Sequence, residues 1–366
     1  AFKGAGTRDA RAFAEAIESV GGEINASTSH ERTTFYARVV AEDAPFALDM
    51  IADIILDPHW APEELDKEKG VVLQEIGKAA DQPEDQVFEL HQATLYPGQS
   101  FGRPILGTPD SLAGLTVADL AGFRAREMTP DRVVIAIAGA YDRAAMLAVA
   151  QARFGGLVPR SSPVLAVPEP RPAKALQLRP IEQSHLVMSW PGPAAPEETS
   201  YAAWLLVEIF GGGMASRLFQ QVREQRGLVY AINAYADAQD DSGRLGVYAG
   251  CAAKDAGEVL DLTTEVLASL AHSGPTATEL ARAKAVTRAM LLMGAESPAA
   301  RAESRAAQVF LRNACVPYPA LARRIAEVSA DAVQALAAQA LSGPPCVTVV
   351  APKAAGRTLR RLGFDS

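Results

Sequence analysis

Two glutamates seven residues apart, Glu68 and Glu75, stand in a stretch of helical spacing. Seven residues is two turns at about 3.6 residues per turn, so the two carboxylates lie nearly above one another on a single helix face. Projected down the helix they fall between Val71 on one side and Ala61, Val72 and Ala79 on the other, and Leu65 and Ile76 continue the arc. Asp66, Gly70, Gln74 and Lys78 occupy the opposite face, and Lys69 is the one charge that breaks the pattern. Carboxylates inside an apolar arc are costly unless a cation, a metal ion or hydrogen-bond donors neutralise them, so this spacing predicts an acid site that holds a positive charge. A solvated or salt-bridged helix flank is the other reading of the same residues.

The region around these acids occurs twice. The first copy reads D-A-P-F-A-L-D-M from Asp43 to Met50, then E-L-D-K-E-K from Glu64 to Lys69. The second reads D-A-G-E-V-L-D-L from Asp255 to Leu262, then E-L-A-R-A-K from Glu279 to Lys284. In that register Glu68 falls on Ala283 and Glu75 on Met290. A duplicated architecture that keeps acids in one half predicts one reactive site per chain.

The elements that position these residues follow from periodicity and breakers. Residues 8–20 have helical spacing and stop at Gly21-Gly22; a strand pair follows at Asn25–Ser29 and Thr33–Val40, then helices over 42–56 and 62–79 separated by Asp57-Pro58. A helix over 111–126 leads to an expected buried strand, Val133–Gly139, and a helix near 142–153. Five prolines between Val158 and Pro172 suit neither helix nor central strand and mark an interdomain linker. Beyond it the pattern restarts with a strand at His185–Trp190, helices over 198–210 and 214–226, and a strand pair at Val229–Ala236 and Leu245–Cys251. Helices over 255–271 and 276–292 and a last strand at Cys346–Ala351 complete it. The expected organisation is two repeats of one α+β unit, residues 1–157 and 173–366, joined by the linker 158–172.

Bulk properties narrow the function classes. A net charge of −8, spread along the 366 residues, argues against nucleic acid or an anionic membrane as partner. The longest apolar run, Val133–Ala140, is far shorter than the roughly 18 residues of a membrane span. Cys251, Cys315 and Cys346 are isolated, which predicts a reducing, cytoplasmic setting and no disulfide framework. Gly211-Gly212-Gly213 lacks the G-K-[ST] ending of a phosphate loop and reads as an inter-helix turn.

Several long segments, in order, resemble the pitrilysin-type metallopeptidases, in the bacterial branch similar to mitochondrial processing peptidase. They are G-G-E-I-N-A-S-T-S-x-E-x-T-x-F-Y-A-R-V (Gly21–Val39), K-G-V-V-L-Q-E-I-G (Lys69–Gly77), G-R-P-I-L-G-T (Gly102–Thr108), E-Q-S-H-L-V (Glu182–Val187) and G-G-G-M-A-S-R-L-F-Q-Q-V-R-E-Q-R-G-L-V-Y (Gly211–Tyr230). The resemblance implies two homologous domains, each a mainly antiparallel sheet packed with helices, forming half of a clam shell. It implies a zinc-dependent endopeptidase acting on peptides or unfolded, presequence-like segments, and a homodimer or heterodimer with a homologous subunit.

Residue by residue, the resemblance gives Glu75 the place of the third zinc ligand and Glu68 that of the second acid of the same helix, which hydrogen-bonds around the metal. It gives Arg223 and Tyr230 to the substrate: the Tyr hydroxyl faces the developing oxyanion and the Arg holds a substrate carbonyl. It makes Asn25 and Ala26 part of an edge strand to which an extended peptide adds by backbone hydrogen bonds. The family's H-x-x-E-H, which supplies two zinc ligands and the general base, is expected just before Ala1. The five histidines, His30, His59, His91, His185 and His272, form no such pair. Read without the resemblance, Arg223 is a salt-bridge partner of Glu224 or of an acid elsewhere, and Tyr230 a core aromatic at a strand start. The rival class is a non-catalytic subunit that binds peptide or partners an active homologue.

Overall fold

A computed structural model describes residues 2–160 and 166–364; Pro163 of the expected linker and the extreme ends of the two expected domains lie outside the described residues. Two compact units draw on interleaved segments of chain. The first takes its described residues from 1–77, 105–165 and 295–315, and the second from 78–104, 166–294 and 316–366.

In the first unit, strands β1 (Gly4–Ala5) and β2 (Arg8–Asp9) pair antiparallel, as do β3 (Glu23–Thr28) and β4 (Thr33–Arg38). The helix Ala10–Glu18 starts where the Asp9 carboxylate accepts from the Ala12 amide, an N-cap, and buries Phe13 and Ile17, one turn apart. Those two side chains, with Ala5, Met50 and Ile54, form a small core that the helix Ala44–Leu56 closes. The opposite side of that helix packs Leu48 and Ala52 on Met146 and Phe154 of the helix Arg143–Phe154. Asp53, 6% exposed, accepts from Arg8 at 3.0 Å and from Arg153, which also donates to Asp49 at 2.5 Å. Gly6, at φ 60°, keeps the chain clear of that carboxylate, because a Cβ there would stand 2.6 Å from an Asp53 oxygen.

Two expectations for this unit change. Val133 and Ile137 of the stretch 133–138 do pack on the core, but it forms no strand: none of the described residues offers it a ladder partner, and Ile135 is 37% exposed. The single helix expected over 111–126 is two, Pro109–Ala113 and Val117–Glu127. Gly114 ends the first, and Thr108 and Thr116 each begin one with a capping box.

The second unit is a five-stranded sheet of β5 (Lys174–Arg179), β6 (Gln183–Pro191), β7 (Val229–Ala238), β8 (Gly243–Ala252) and β9 (Cys346–Pro352), in the order β5-β9-β6-β8-β7. All neighbours are antiparallel except β5 and β9. Alternation along β6 sends Leu186, Met188 and Trp190 into the main core beneath the helices Ser200–Val207, Ala256–Ser273 and Ala330–Ala340. Val187 points to the other face, where Val87 of the helix Pro83–Leu95 covers it. The hairpin β3–β4 followed by helices Ala44–Leu56 and Pro62–Ala80 has its counterpart in β7–β8 followed by Ala256–Ser273 and Ala277–Gly294. The duplication read from sequence is thus a duplication of elements.

Polar contacts seat the helix Pro83–Leu95. His91 is 1% exposed; its Nδ1 lies 3.0 Å from Thr348 Oγ1 and its Nε2 2.7 Å from Ser189 Oγ. Thr348 donates onward to the Val87 carbonyl, which leaves its oxygen to accept from Nδ1–H; burial favours the neutral ring, whose Nε2 then accepts from Ser189. Burial, and then the nearby Arg244, pull its pKa down to about 3.

A base whose folded pKa is depressed lets the unfolded chain take up a proton first. Stability therefore falls as pH drops through about 6.5 and levels off near 3. We expect His91→Gln to flatten the pH dependence of the unfolding free energy between those values by up to about 1.4 kcal/mol per pH unit, measured by denaturant titration across pH.

Candidate functional site

Glu68 and Glu75 share the helix Pro62–Ala80, but no residue of that helix is buried. Val71 is 46% exposed, and Ala61, Leu65, Val72, Ile76 and Ala79 are only half-buried. The apolar arc is therefore only partly covered, and the expectation of carboxylates enclosed by it is corrected. The Glu68 carboxylate accepts from Lys3 Nζ at 2.9 Å, a contact that raises the Lys3 pKa. Glu75 is exposed, and its carboxylate makes no hydrogen bond or ion pair with the described residues. In the matched helix Ala277–Gly294, Ala283 is buried at 1% and Met290 is 60% exposed. Position 75 thus looks outward in both copies, and only in the first does it carry a charge.

Zinc bound by protein needs three or four nitrogen, sulfur or oxygen donors in a tetrahedral cluster. Among the described residues no three His, Cys, Asp or Glu side chains gather in that way. His59 contacts the Gly6 carbonyl at 2.7 Å, and His91 and His185 are held by hydroxyls in the second unit. Glu68 already faces an ammonium. These residues do not by themselves make a zinc site; Glu75 offers one free carboxylate.

Asn25 and Ala26 lie on β3, paired with Tyr36 and Phe35 of β4. No third strand among the described residues joins this hairpin, so β3 keeps an outer edge.

Arg223 and Tyr230 belong to the second unit, and irregular backbone presents both. The helix expected over 214–226 is present but shorter, running over 217–224, and it widens to a π-helix at Phe219–Glu224, anchored by Leu218 and Val222, both fully buried. Gly227, at φ 63°, donates to the Arg223 carbonyl and turns the chain into β7 within two residues. At the start of that strand Val229 pairs with Cys251 and Ala231 with Gly250, leaving Tyr230 as the extra residue of a β-bulge. Tyr230 is 62% exposed, so it is not a core aromatic. Nor does Arg223 pair with Glu224: its guanidinium carbon sits 4.7 Å from the centroid of the Phe219 ring.

The loop ahead of this turn is pinned. Arg217 donates to both Glu279 oxygens at 2.8 Å, to Ser269 Oγ at 2.8 Å and to the Gly274 carbonyl at 3.1 Å. Glu279 also accepts from Thr276 at the start of its helix. The Arg217 guanidinium first, opposed by burial and helped by Thr276, holds the Glu279 pKa at about 2. Gly211 meets β7 so closely that a Cβ would stand 2.8 Å from both N and Cβ of Ala234, and that contact explains the glycine.

Comparison with known proteins bears on the same residues. The profile described as "Insulinase (Peptidase family M16)" matches residues 1–109, and "Peptidase M16 inactive domain" matches residues 114–287. The chain is 34% identical over 369 residues to an uncharacterized zinc protease of Mycobacterium tuberculosis, covering 98% of this chain and 83% of that one. The chain belongs to peptidase family M16. Another M16 relative, an uncharacterized zinc protease of Bacillus subtilis, is 33% identical, with 96% and 86% covered. The fold agrees with the crystal structure of a peptidase M16 inactive domain from Pseudomonas fluorescens, at TM-score 0.86 and 23% identity over 96% of this chain and 85% of that one. A protease from Helicobacter pylori superposes at TM-score 0.85 and 17% identity, covering 96% of this chain and 86% of that one. The pitrilysin-type resemblance and the α+β fold of the sequence reading both stand. Zinc accompanies the M16 relatives by name.

Two contributors were not singled out from sequence. Arg217 needed knowledge of a partner 62 residues away. Phe219, one turn before Arg223, was within reach of the i, i+4 rule.

The Glu279 pKa is depressed, so its contribution is full above about 4.5 and is lost as pH falls toward 2. We expect Glu279→Gln to cost about 2 kcal/mol at pH 7 and progressively less below pH 4.5, measured by denaturant unfolding at both ends of that window.

Proposed function

We propose that this chain is the greater part of a zinc-dependent endopeptidase that cleaves peptides or unfolded, presequence-like segments inside a closed chamber. The observation that carries this is Glu75. It is an outward-facing carboxylate without a partner among the described residues, on the copy of the helix that kept its acids, in a chain whose M16 relatives are named zinc proteases. In this reading Glu75 supplies one metal ligand, and the imidazole ligands and general base come from residues outside these 366. Zinc, when bound, supplies an activated water and a Lewis acid for the scissile carbonyl.

The remaining roles belong to this chain's own side chains. Glu68 orients the groups around the metal site from two turns away, with Lys3 as its partner. The bulged Tyr230 donates its hydroxyl to the oxyanion that develops on the scissile carbonyl. Arg223 donates to a neighbouring substrate carbonyl. The free edge of β3, at Asn25 and Ala26, takes the peptide backbone as an added strand, which suits loose sequence preference. A second subunit, identical or homologous, completes the chamber.

A specific observation favours a second reading, a non-catalytic subunit that binds peptide: no ligand cluster forms among the described residues, and the profile matching 114–287 is named for an inactive domain.

The test uses the protein encoded by the full gene. We expect it to cleave an unstructured peptide, to lose that activity with a chelator, and to lose stoichiometric zinc in Glu75→Gln. Tyr230→Phe should lower kcat about 100-fold while leaving zinc content unchanged. Peptide binding without cleavage in metal-replete protein would support the non-catalytic reading; zinc retained in full by Glu75→Gln would remove Glu75 from the ligand set.

A further inference from the structure

Arg223 is fixed by an aromatic face and by no acid. The nearest carboxylate in sequence, Glu224, does not engage it, and it makes no ion pair or hydrogen bond through its side chain with the described residues. Its guanidinium instead lies 4.7 Å from the Phe219 centroid, one turn back in the same π-helical turn. Phe219 is itself half-buried, and fully buried residues flank it at 218 and, three positions on, at 222. The ring is half-buried on a turn whose flanking residues are anchored in the core, and Arg223 lies over that ring.

The mode of holding matters chemically. An arginine restrained by a carboxylate has its in-plane N–H donors occupied and its charge compensated. Stacking on a ring uses the face of the guanidinium and leaves those donors free at its rim, with the charge intact. It also removes rotamer freedom before any ligand arrives, so less ordering is needed when a substrate binds. The Phe219 side chain is the element that does this, because the turn offers Arg223 no other partner.

We infer that Phe219 is a positioning residue, which holds the Arg223 guanidinium with its donors open to a peptide carbonyl. This rests on the peptidase reading given above for Arg223, and it assigns to Phe219 the aiming of that side chain rather than contact with substrate.

The experiment compares Phe219→Leu, which keeps apolar volume, with Phe219→Tyr, which keeps the ring, in the full-length protein with an unstructured peptide substrate. We expect Phe219→Leu to lower kcat/KM about three- to fivefold, chiefly through KM, and Phe219→Tyr to stay within about twofold of the parent. In an Arg223→Ala background Phe219→Leu should have no further effect, since the two side chains act as one unit. An equal loss in both backgrounds would show that Phe219 merely packs, and would overturn the inference. If Arg223→Ala itself leaves KM and kcat unchanged, the failure lies in the role given to Arg223, and the inference falls with it. A readout independent of activity is the Arg223 Nε–H proton resonance. The Phe219 ring current should shift it upfield in the parent and in Phe219→Tyr, and the shift should vanish in Phe219→Leu; an unchanged resonance in Phe219→Leu contradicts the stacking directly.

Discussion

In the second unit, the segment that leads to Arg223 and Tyr230 is tied down by one ion pair, Arg217 with Glu279. All its groups are committed: the guanidinium reaches both carboxylate oxygens, a serine hydroxyl and a backbone carbonyl, and the carboxylate also caps its own helix through Thr276. A half-buried charge pair is stabilising only when its remaining donors and acceptors are satisfied, as these are. The pair fixes the loop after the glycine run to the helix Ala277–Gly294. Only from a fixed loop can the following π-helical turn and bulge present Arg223 and Tyr230 in constant directions. Both irregularities would be liabilities in a loosely held segment, and here they set which way two polar side chains face.

The duplicated scaffold shows how the same elements serve different ends. Glu64, which matches Glu279, has no arginine partner among the described residues; it accepts from Lys67 on its own helix and feels the charge of Lys3. Position 68 carries an acid tied to Lys3 where the second copy buries Ala283. Position 75 is an outward carboxylate where the second copy shows Met290 to solvent. One copy has thus put its charge into locking a loop, and the other keeps charge on its surface.

Much of this was legible from residue pattern. Strong alternation and helical periodicity located the hairpins and the two long helices of each repeat, because burial on one face leaves a direct trace in sequence. The strand expected at Val133–Gly139 failed for a reason no local pattern holds: a buried apolar run becomes a strand only where a neighbour supplies its hydrogen bonds. The enclosed setting expected for Glu68 and Glu75 failed similarly, since spacing places residues on a face and cannot say what covers that face. The bulge at Tyr230 left no trace either, as it depends on the register between two strands. Arg223, by contrast, carried its partner in plain view one turn upstream.

Fold and family are fixed by the sheet order, the duplicated elements and relatives that share a third of their residues across nearly the whole chain. The chemistry assigned to Glu75 and Tyr230 is open to direct observation. A crystal structure of the metal-loaded, full-length protein with a phosphinic peptide, which mimics the tetrahedral adduct, would decide it. The account predicts a Glu75 carboxylate oxygen about 2.0–2.2 Å from zinc and the Tyr230 hydroxyl within hydrogen-bond distance of the phosphinate. A metal bound without Glu75, or a phosphinate with Tyr230 turned away from it, would contradict the account.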